Sequence, residues 1–438
     1  MSTATPEQCD YFSGPGTPSG LMIPQIMLPH PTIDLYHWSV IACDQHTASL
    51  EYWQETASIT SAFPSAYHLI LPEYYLEHPD GIPLSKRIQS INQTMAGYLE
   101  AGLLRQLDPG CILVDRATPD HSRRLGLLLA IDLECYDFTP GSRQLVRATE
   151  GTVVSRIPPR AAVRRDAPLE LPHVQLLIDD PQQTVIEPLY EQVQKTGTEP
   201  IYDTLLMQQG GSVKGWFFPE GAPQLNKALQ ALNRLDSLLR HGLLMAVGDG
   251  NHSLATAREH WLALRSHVPA DHPARYALVE VLNLHDAGLN FEPIHRVLSG
   301  LSAEALMNAA HRWFGSHPEH LDQQSSAAET TKVLLPMLSR CHEGQLPLPV
   351  PAGKLPVAVL QPFLDHLADR EQVQIDYIHG IDEVKRLADA GFIGLLLPAM
   401  SKHDLFPCIV RDGILPRKTF SMGEAYEKRY YLECRRIR

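Results

Sequence analysis

The stretch Leu243 to Trp261, LLMAVGDGNHSLATAREHW, constrains the fold more than any other in the chain. Its apolar run Leu243 to Val247 reads as a short buried strand. Gly248-Asp249-Gly250-Asn251 is dense turn chemistry. From His252 onward, Leu254, Ala257 and Trp261 recur at helical spacing. A strand that breaks on glycines into a helix leaves backbone N–H groups open at the helix start, and these favour an anion. Asp249 can take a proton or hold a metal, and His252 can donate to a phosphate or serve as acid or base. Asp249 or Asn251 would equally suit a plain helix cap. The glycine spacing matches neither a P-loop nor a dinucleotide fingerprint.

A chain of 438 residues is long enough for two or three domains. Strands alternating with helices imply an α/β or α+β mixed-sheet protein. The expected division is a lead-in (1–20), a main α/β body carrying the GDGNH turn (21–300), a helical and Pro-rich variable region (301–356), and a C-terminal segment packing back on the body (357–438). A net charge of −13 argues against nucleic acid as a partner. The longest apolar run is too short to span a bilayer. Seven cysteines include no C-x-x-C pair, and no signal peptide is evident, so reduced thiols in a cytoplasmic protein are expected.

Further candidates sit at strand ends. Trp38 to Ala42 reads as a strand running into Cys43-Asp44-Gln45-His46, which makes Asp44 a site candidate beside its simpler role as a helix cap. Tyr67 to Leu71 reads as another strand. Arg147, Arg156, Arg160, Arg164 and Arg165 crowd one stretch, with Glu150, Asp166 and Glu170 as possible partners. Guanidinium forks suit phosphate, and the same charges suit a solvated surface. Asp179-Asp180-Pro181 follows a strand; paired aspartates can hold magnesium, and Asp before Pro can also open a helix. His295 and Arg296 end another apolar run. Leu346 to Pro356 reads as a linker or surface loop, and Lys418 and Ser421 supply a cation and a hydroxyl near Gly423.

At these motifs the chain resembles an uncharacterised bacterial family, the domain of unknown function number 1015. The segments WSVIACDQHT, TEGTVVSRIPPR, LELPHVQLLIDD, VGDGNHSLATA, FEPIHR and LPRKTFSMGEA carry the resemblance. Asp249-Gly250-Asn251-His252 is also similar to the D-G-H-H-R-like turn of the ParB/sulfiredoxin superfamily, whose members bind nucleotides there. That resemblance implies a ParB/sulfiredoxin-like nucleotide-binding core with appended α/β elements, and ATP or ADP with magnesium as cofactor. Gly250 and Asn251, with Gly248 beside them, would offer N–H groups to a phosphate, His252 would contact the same group, and Asp249 would face the metal or the attacking hydroxyl.

Two departures stand out. Ser253 replaces the superfamily arginine, and Asn251 stands where a second histidine or a cysteine often does, which argues against sulfiredoxin-type chemistry. Phosphate charge would then fall to Arg156, Arg160, Arg164 or Lys418 with Ser421, and the acceptor to Glu150, His295 and Arg296. The resulting expectation is a phosphotransferase acting on a small hydroxyl compound such as serine, with Asp249, His252 and Asp44 in catalysis. A non-catalytic nucleotide-binding regulatory module is the alternative, and DNA binding of the ParB type is disfavoured by the acidic balance.

Overall fold

The computed structural model describes residues 20–78, 80–153, 155, 157–238, 242–316, 330–340, 342–371 and 373–438. The lead-in before residue 20, Arg156 and most of the polar stretch 323–330 therefore lie outside the described residues. The chain falls into two units, Met1–Leu289 with Glu424–Arg438, and Asn290–Gly423. Among the described residues no helix is long and apolar enough to cross a membrane.

Among the described residues, unit 1 is built on a mixed sheet of eleven strands. Its middle runs Leu104–Ala117, Arg124–Asp132, Tyr276–Asn283, Gln175–Ile178, Met245–Asp249, then Val146–Ala148. Pairing is antiparallel for the first two neighbours, parallel between Tyr276–Asn283 and Gln175–Ile178, and parallel between Met245–Asp249 and Val146–Ala148. The strands alternate between two apolar layers with the two-residue period of a pleated chain. Cys111, Leu113, Leu127, Leu129, Val279 and Val281 enter one layer, while Ile112, Val114, Leu128 and Leu278 enter the other. Both faces are covered, which explains why these strands read as unbroken apolar runs. The α/β class with a mixed sheet is as expected from the sequence.

Two short segments differ from expectation for local reasons. Tyr67 to Leu71 is not a strand: a 3-10 helix spans Ala66–Leu69, started by the Ser65 hydroxyl accepting the Tyr67 N–H at 3.2 Å. Trp38 to Ala42 keeps only Val40–Ile41 as strand, because Asp34 caps a helical turn over Leu35–Trp38.

Among the described residues, unit 2 carries a six-stranded sheet and its own apolar core around Leu298, Leu346, Leu360 and Leu395. The expected linker is instead largely a strand, His342–Pro351, paired with Thr330–Ser339. Leu346, Leu348 and Val350 are buried, and prolines fill the positions between and after them. This strand ends the sheet order, so nitrogens two residues apart face its open edge, where a missing N–H costs no ladder bond.

Candidate functional site

The strand Met245–Asp249 delivers Asp249 to the start of the helix Asn251–Leu264, with Gly250 between them. Gly250 is the N-cap at φ 82°, a left-handed conformation that glycine adopts without penalty, and among the described residues no side chain caps the helix. A Cβ there would come within 3.0 Å of the Val174 backbone. The glycine thus lets the turn lie against His173-Val174.

Long-range pairing brings five further groups to this turn. Tyr430–Tyr431 pairs with Val40–Ile41, and the Ala42 N–H donates to the Arg429 carbonyl at 2.9 Å. Asp44 follows that short strand, and the Glu73 N–H donates to the Cys43 carbonyl at 2.8 Å, which sets Glu73 beside it. His173 precedes the strand Gln175–Ile178. Its Nδ1 lies 2.8 Å from the Tyr431 hydroxyl, and its Nε2 lies 3.7 Å from Asp44 Oδ2. The Cys43 N–H donates to the same tyrosine oxygen at 3.1 Å. Lys428 Nζ stands 3.1 Å from Asp249 Oδ2, while Asp249 Oδ1 accepts the Gly250 N–H at 2.8 Å.

Glu73, His173 and Lys428 are all buried, so the electrostatic interactions among these groups act through little water. Burial opposes ionisation of Asp249, but the Lys428 ammonium and the His173 ring outweigh it and hold the carboxyl below its ordinary value. Glu73 is pushed the other way, by burial and then by the Asp44 charge, against the pull of Arg160. Burial also raises the Cys43 thiol and the Tyr431 hydroxyl, keeping both protonated. The site therefore holds a firmly ionised carboxylate and a reluctant one, which is the usual arrangement for separating an electrostatic role from a proton-accepting role.

The helix start has its own second row. Asn251 is buried, its Nδ2 lies 3.5 Å from Thr149 Oγ1, and its Oδ1 meets no hydrogen-bond partner among the described residues. The Val153 N–H donates to His252 Nε2 at 3.2 Å, holding that ring against the loop after Val146–Ala148, where half-buried Glu150 also sits.

The remaining candidates are placed as follows. Gly248 lies within the strand leading to the turn. Arg160 and Arg164 share the helix Ile157–Arg165, which packs on the site helix. Arg160 Nε donates to Glu73 at 2.6 Å, whereas Arg164 reaches Glu170 at 2.6 Å. Asp180 is fully buried and accepts the Thr184 and Val185 N–H groups at 2.6 and 2.9 Å, and Asp179 meets His285 at 2.7 Å. Among the described residues no set of three or more His, Cys, Asp and Glu side chains is arranged to hold a metal. His295, Arg296, Lys418 and Ser421 belong to unit 2. There His295 Nδ1 accepts the Leu397 N–H at 3.1 Å, and buried Arg296 donates to Gln361 at 2.9 Å and to the Ile294 carbonyl at 2.6 Å. Lys418 sits at φ 56°, and the Ser421 hydroxyl donates to the Gly423 carbonyl at 3.0 Å.

Sequence reading missed Glu73, His173, Lys428 and Tyr431. The available signal was a histidine directly before an apolar strand, LPHVQLLI, and charges embedded in the aromatic run EKRYYLE.

The family model described as "Protein of unknown function (DUF1015)" matches residues 24–358, and the chain belongs to that family. No curated protein matches it. Among solved structures the chain is similar to a free serine kinase in complex with AMP, at 10% identity and a TM-score of 0.35, covering 69% of this chain and 90% of that one. It is similar to a conserved hypothetical protein from Pyrococcus furiosus at 10% identity and TM-score 0.33, covering 70% and 90% of the two chains. A C-terminally truncated SbnI from Staphylococcus aureus gives 10% identity and TM-score 0.34, covering 68% and 82%.

Proposed function

We propose that this DUF1015 chain is a nucleotide-dependent phosphotransferase that moves a phosphoryl group onto a small hydroxyl compound, a free amino acid such as serine being the first candidate. The observation that carries this reading is the gathering of Asp44, Glu73, His173, Asp249 and Lys428 at the glycine-capped start of the helix Asn251–Leu264. A helix start without a capping side chain suits phosphate oxygens. Lys428 supplies a cation where charge accumulates, as phosphoryl transfer requires. Glu73, whose carboxyl burial keeps basic, and His173 are the groups suited to take the acceptor's proton. Tyr431 holds His173 by its Nδ1. The buried Asn251 Oδ1, which meets no partner among the described residues, fits a ligand donor at the helix start.

Magnesium is ordinarily held by one or two carboxylates together with nucleotide phosphates. Asp249 and Asp44 fit that donor set without a protein-only cage, and the ion would there add neutralising charge. ATP or ADP, a small-molecule acceptor and a cytoplasmic setting belong to the same proposal.

A nucleotide-binding module without turnover is the second reading, favoured by the ion pair that already engages Asp249 with Lys428. Thermal unfolding with ATP, ADP, CTP and GTP, with and without magnesium, tests the shared premise. A ligand that binds the native state raises the unfolding temperature. A magnesium-dependent rise with one nucleotide, followed by serine-dependent nucleotide consumption that Asp249→Asn abolishes, is the expected result. A rise with no consumption of nucleotide selects the second reading, and no rise with any nucleotide overturns both.

A further inference from the structure

Two contacts fix which way the hydroxyl of Tyr431 turns. Its oxygen lies 2.8 Å from His173 Nδ1, and the Cys43 N–H donates to that same oxygen at 3.1 Å. A backbone N–H can only donate, so the oxygen already serves as an acceptor. Burial keeps the tyrosine protonated, which leaves one hydroxyl hydrogen to place. It has two acceptors beside it, the Cys43 sulfur and the imidazole nitrogen. A thiol sulfur is a weak acceptor, and the ring nitrogen is the better of the two.

The pair is held firmly. Both residues are buried, and their rings meet edge-on with centroids 5.6 Å apart. Tyr431 is anchored by the strand pair it forms with Val40–Ile41. A flip of the imidazole would break the tyrosine contact where little water can replace it. On the other side of the ring, Nε2 has Asp44 Oδ2 at 3.7 Å, beyond hydrogen-bond reach. Which imidazole nitrogen carries the proton is set by the bond the other one makes. With Nδ1 accepting from the tyrosine, the proton of the neutral ring sits on Nε2, on the side of the carboxylates.

We propose that Tyr431 is a positioning residue whose hydroxyl donates to His173 Nδ1 and thereby makes His173 a hydrogen-bond donor through Nε2 rather than a base. On the phosphotransferase reading, on which this role rests, that N–H meets an oxygen of the transferring phosphoryl group. Charge accumulates there, and a fixed donor stabilises it. Of the two groups suited to take the acceptor's proton, Glu73 is then the base. The proton leaves the acceptor hydroxyl for the Glu73 carboxylate while the acceptor oxygen bonds to the terminal phosphorus of the nucleotide. The bond from that phosphorus to the departing nucleotide oxygen breaks.

Nitrogen-15 NMR of the full chain, labelled at histidine and without ligand, tests the tautomer. The His173 ring is identified by its nuclear Overhauser contact with the Tyr431 ring. At neutral pH a bare Nδ1 and a protonated Nε2 are expected, giving way in Tyr431→Phe to the other tautomer or to a mixture. A wild-type ring protonated at Nδ1, alone or together with Nε2, overturns the proposal, and so does a wild-type tautomer that Tyr431→Phe retains. Should that variant not fold, the wild-type spectrum decides. In the serine-dependent assay, Glu73→Gln should lower kcat by about 100-fold or more. His173→Gln keeps an N–H near the Nε2 position and should lose much less than His173→Leu. Equal losses in those two variants overturn the donor role. Absence of turnover beside the expected tautomer overturns the phosphotransferase reading, and with it the donor's partner, while the hold of Tyr431 on the ring stands.

Discussion

Lys428 Nζ and Asp249 Oδ2 lie 3.1 Å apart, an ion pair that ties the C-terminal segment of unit 1 to the turn before the site helix. Lys428→Met should lower the unfolding free energy at neutral pH by about 1–3 kcal/mol, because it leaves a largely buried carboxylate without its cation. Asp249 has a depressed folded value, so its contribution is present above the unfolded value of 3.8 and is lost as pH falls through the folded one. The gap in urea midpoint between wild type and Lys428→Met should therefore narrow below about pH 4. A gap that stays constant down to acid pH would contradict the assignment.

Gly250→Ala places a Cβ at φ 82° and 3.0 Å from the Val174 backbone. A cost of about 1–3 kcal/mol is expected from the backbone conformation and the displaced contact. Urea unfolding measures that cost. Far-ultraviolet circular dichroism should keep its native form, and nucleotide titration of the folded variant should weaken relative to wild type.

Glu170 is buried and accepts from Arg164 at 2.6 Å, from Arg435 at 2.8 Å and from the Leu278 N–H at 2.9 Å. Glu170→Ala should cost about 3–5 kcal/mol by leaving two cations uncompensated. Arg435→Met should be costly for the same reason. The double variant should cost less than the sum of the two, since the partners act as a unit. Strict additivity in chemical denaturation would show that the pair is not coupled.

Pro347 and Pro349 occupy the edge strand of unit 2. Replacing both with Val restores two edge N–H groups without touching buried Leu346 or Leu348. Unfolding temperature should change little, while concentration-dependent association, read by light scattering, should increase. An unchanged monomer fraction would show that the prolines do not guard the edge.

The central turn was legible because its information is local: an apolar run, two glycines and a helical repeat need no distant partner. The strand Met245–Asp249 and the helix Asn251–Leu264 match that reading closely. His173 and Lys428 were not legible, because their place depends on which strands pair across the sheet and on the C-terminal segment returning to it. Local spacing says nothing about either. Leu346 to Pro356 misled for a different reason. Proline density reads as a loop, whereas its alternation with buried Leu346, Leu348 and Val350 is a strand period. Asp44 is the intermediate case, a strand-end residue whose neighbour His173 only the fold supplies.

Unit 1 consists of two stretches separated by the whole of unit 2. During synthesis, Asp249 and its helix leave the ribosome long before Lys428 and Tyr431. At roughly 5–20 residues per second, the intervening unit imposes a delay on the order of ten seconds. For that interval Asp249 and His173 exist without the ammonium and the hydroxyl that later meet them. A nascent chain stalled before Glu424 would carry the complete turn without Lys428 or Tyr431, so the timing of translation sets the earliest moment at which these groups can meet.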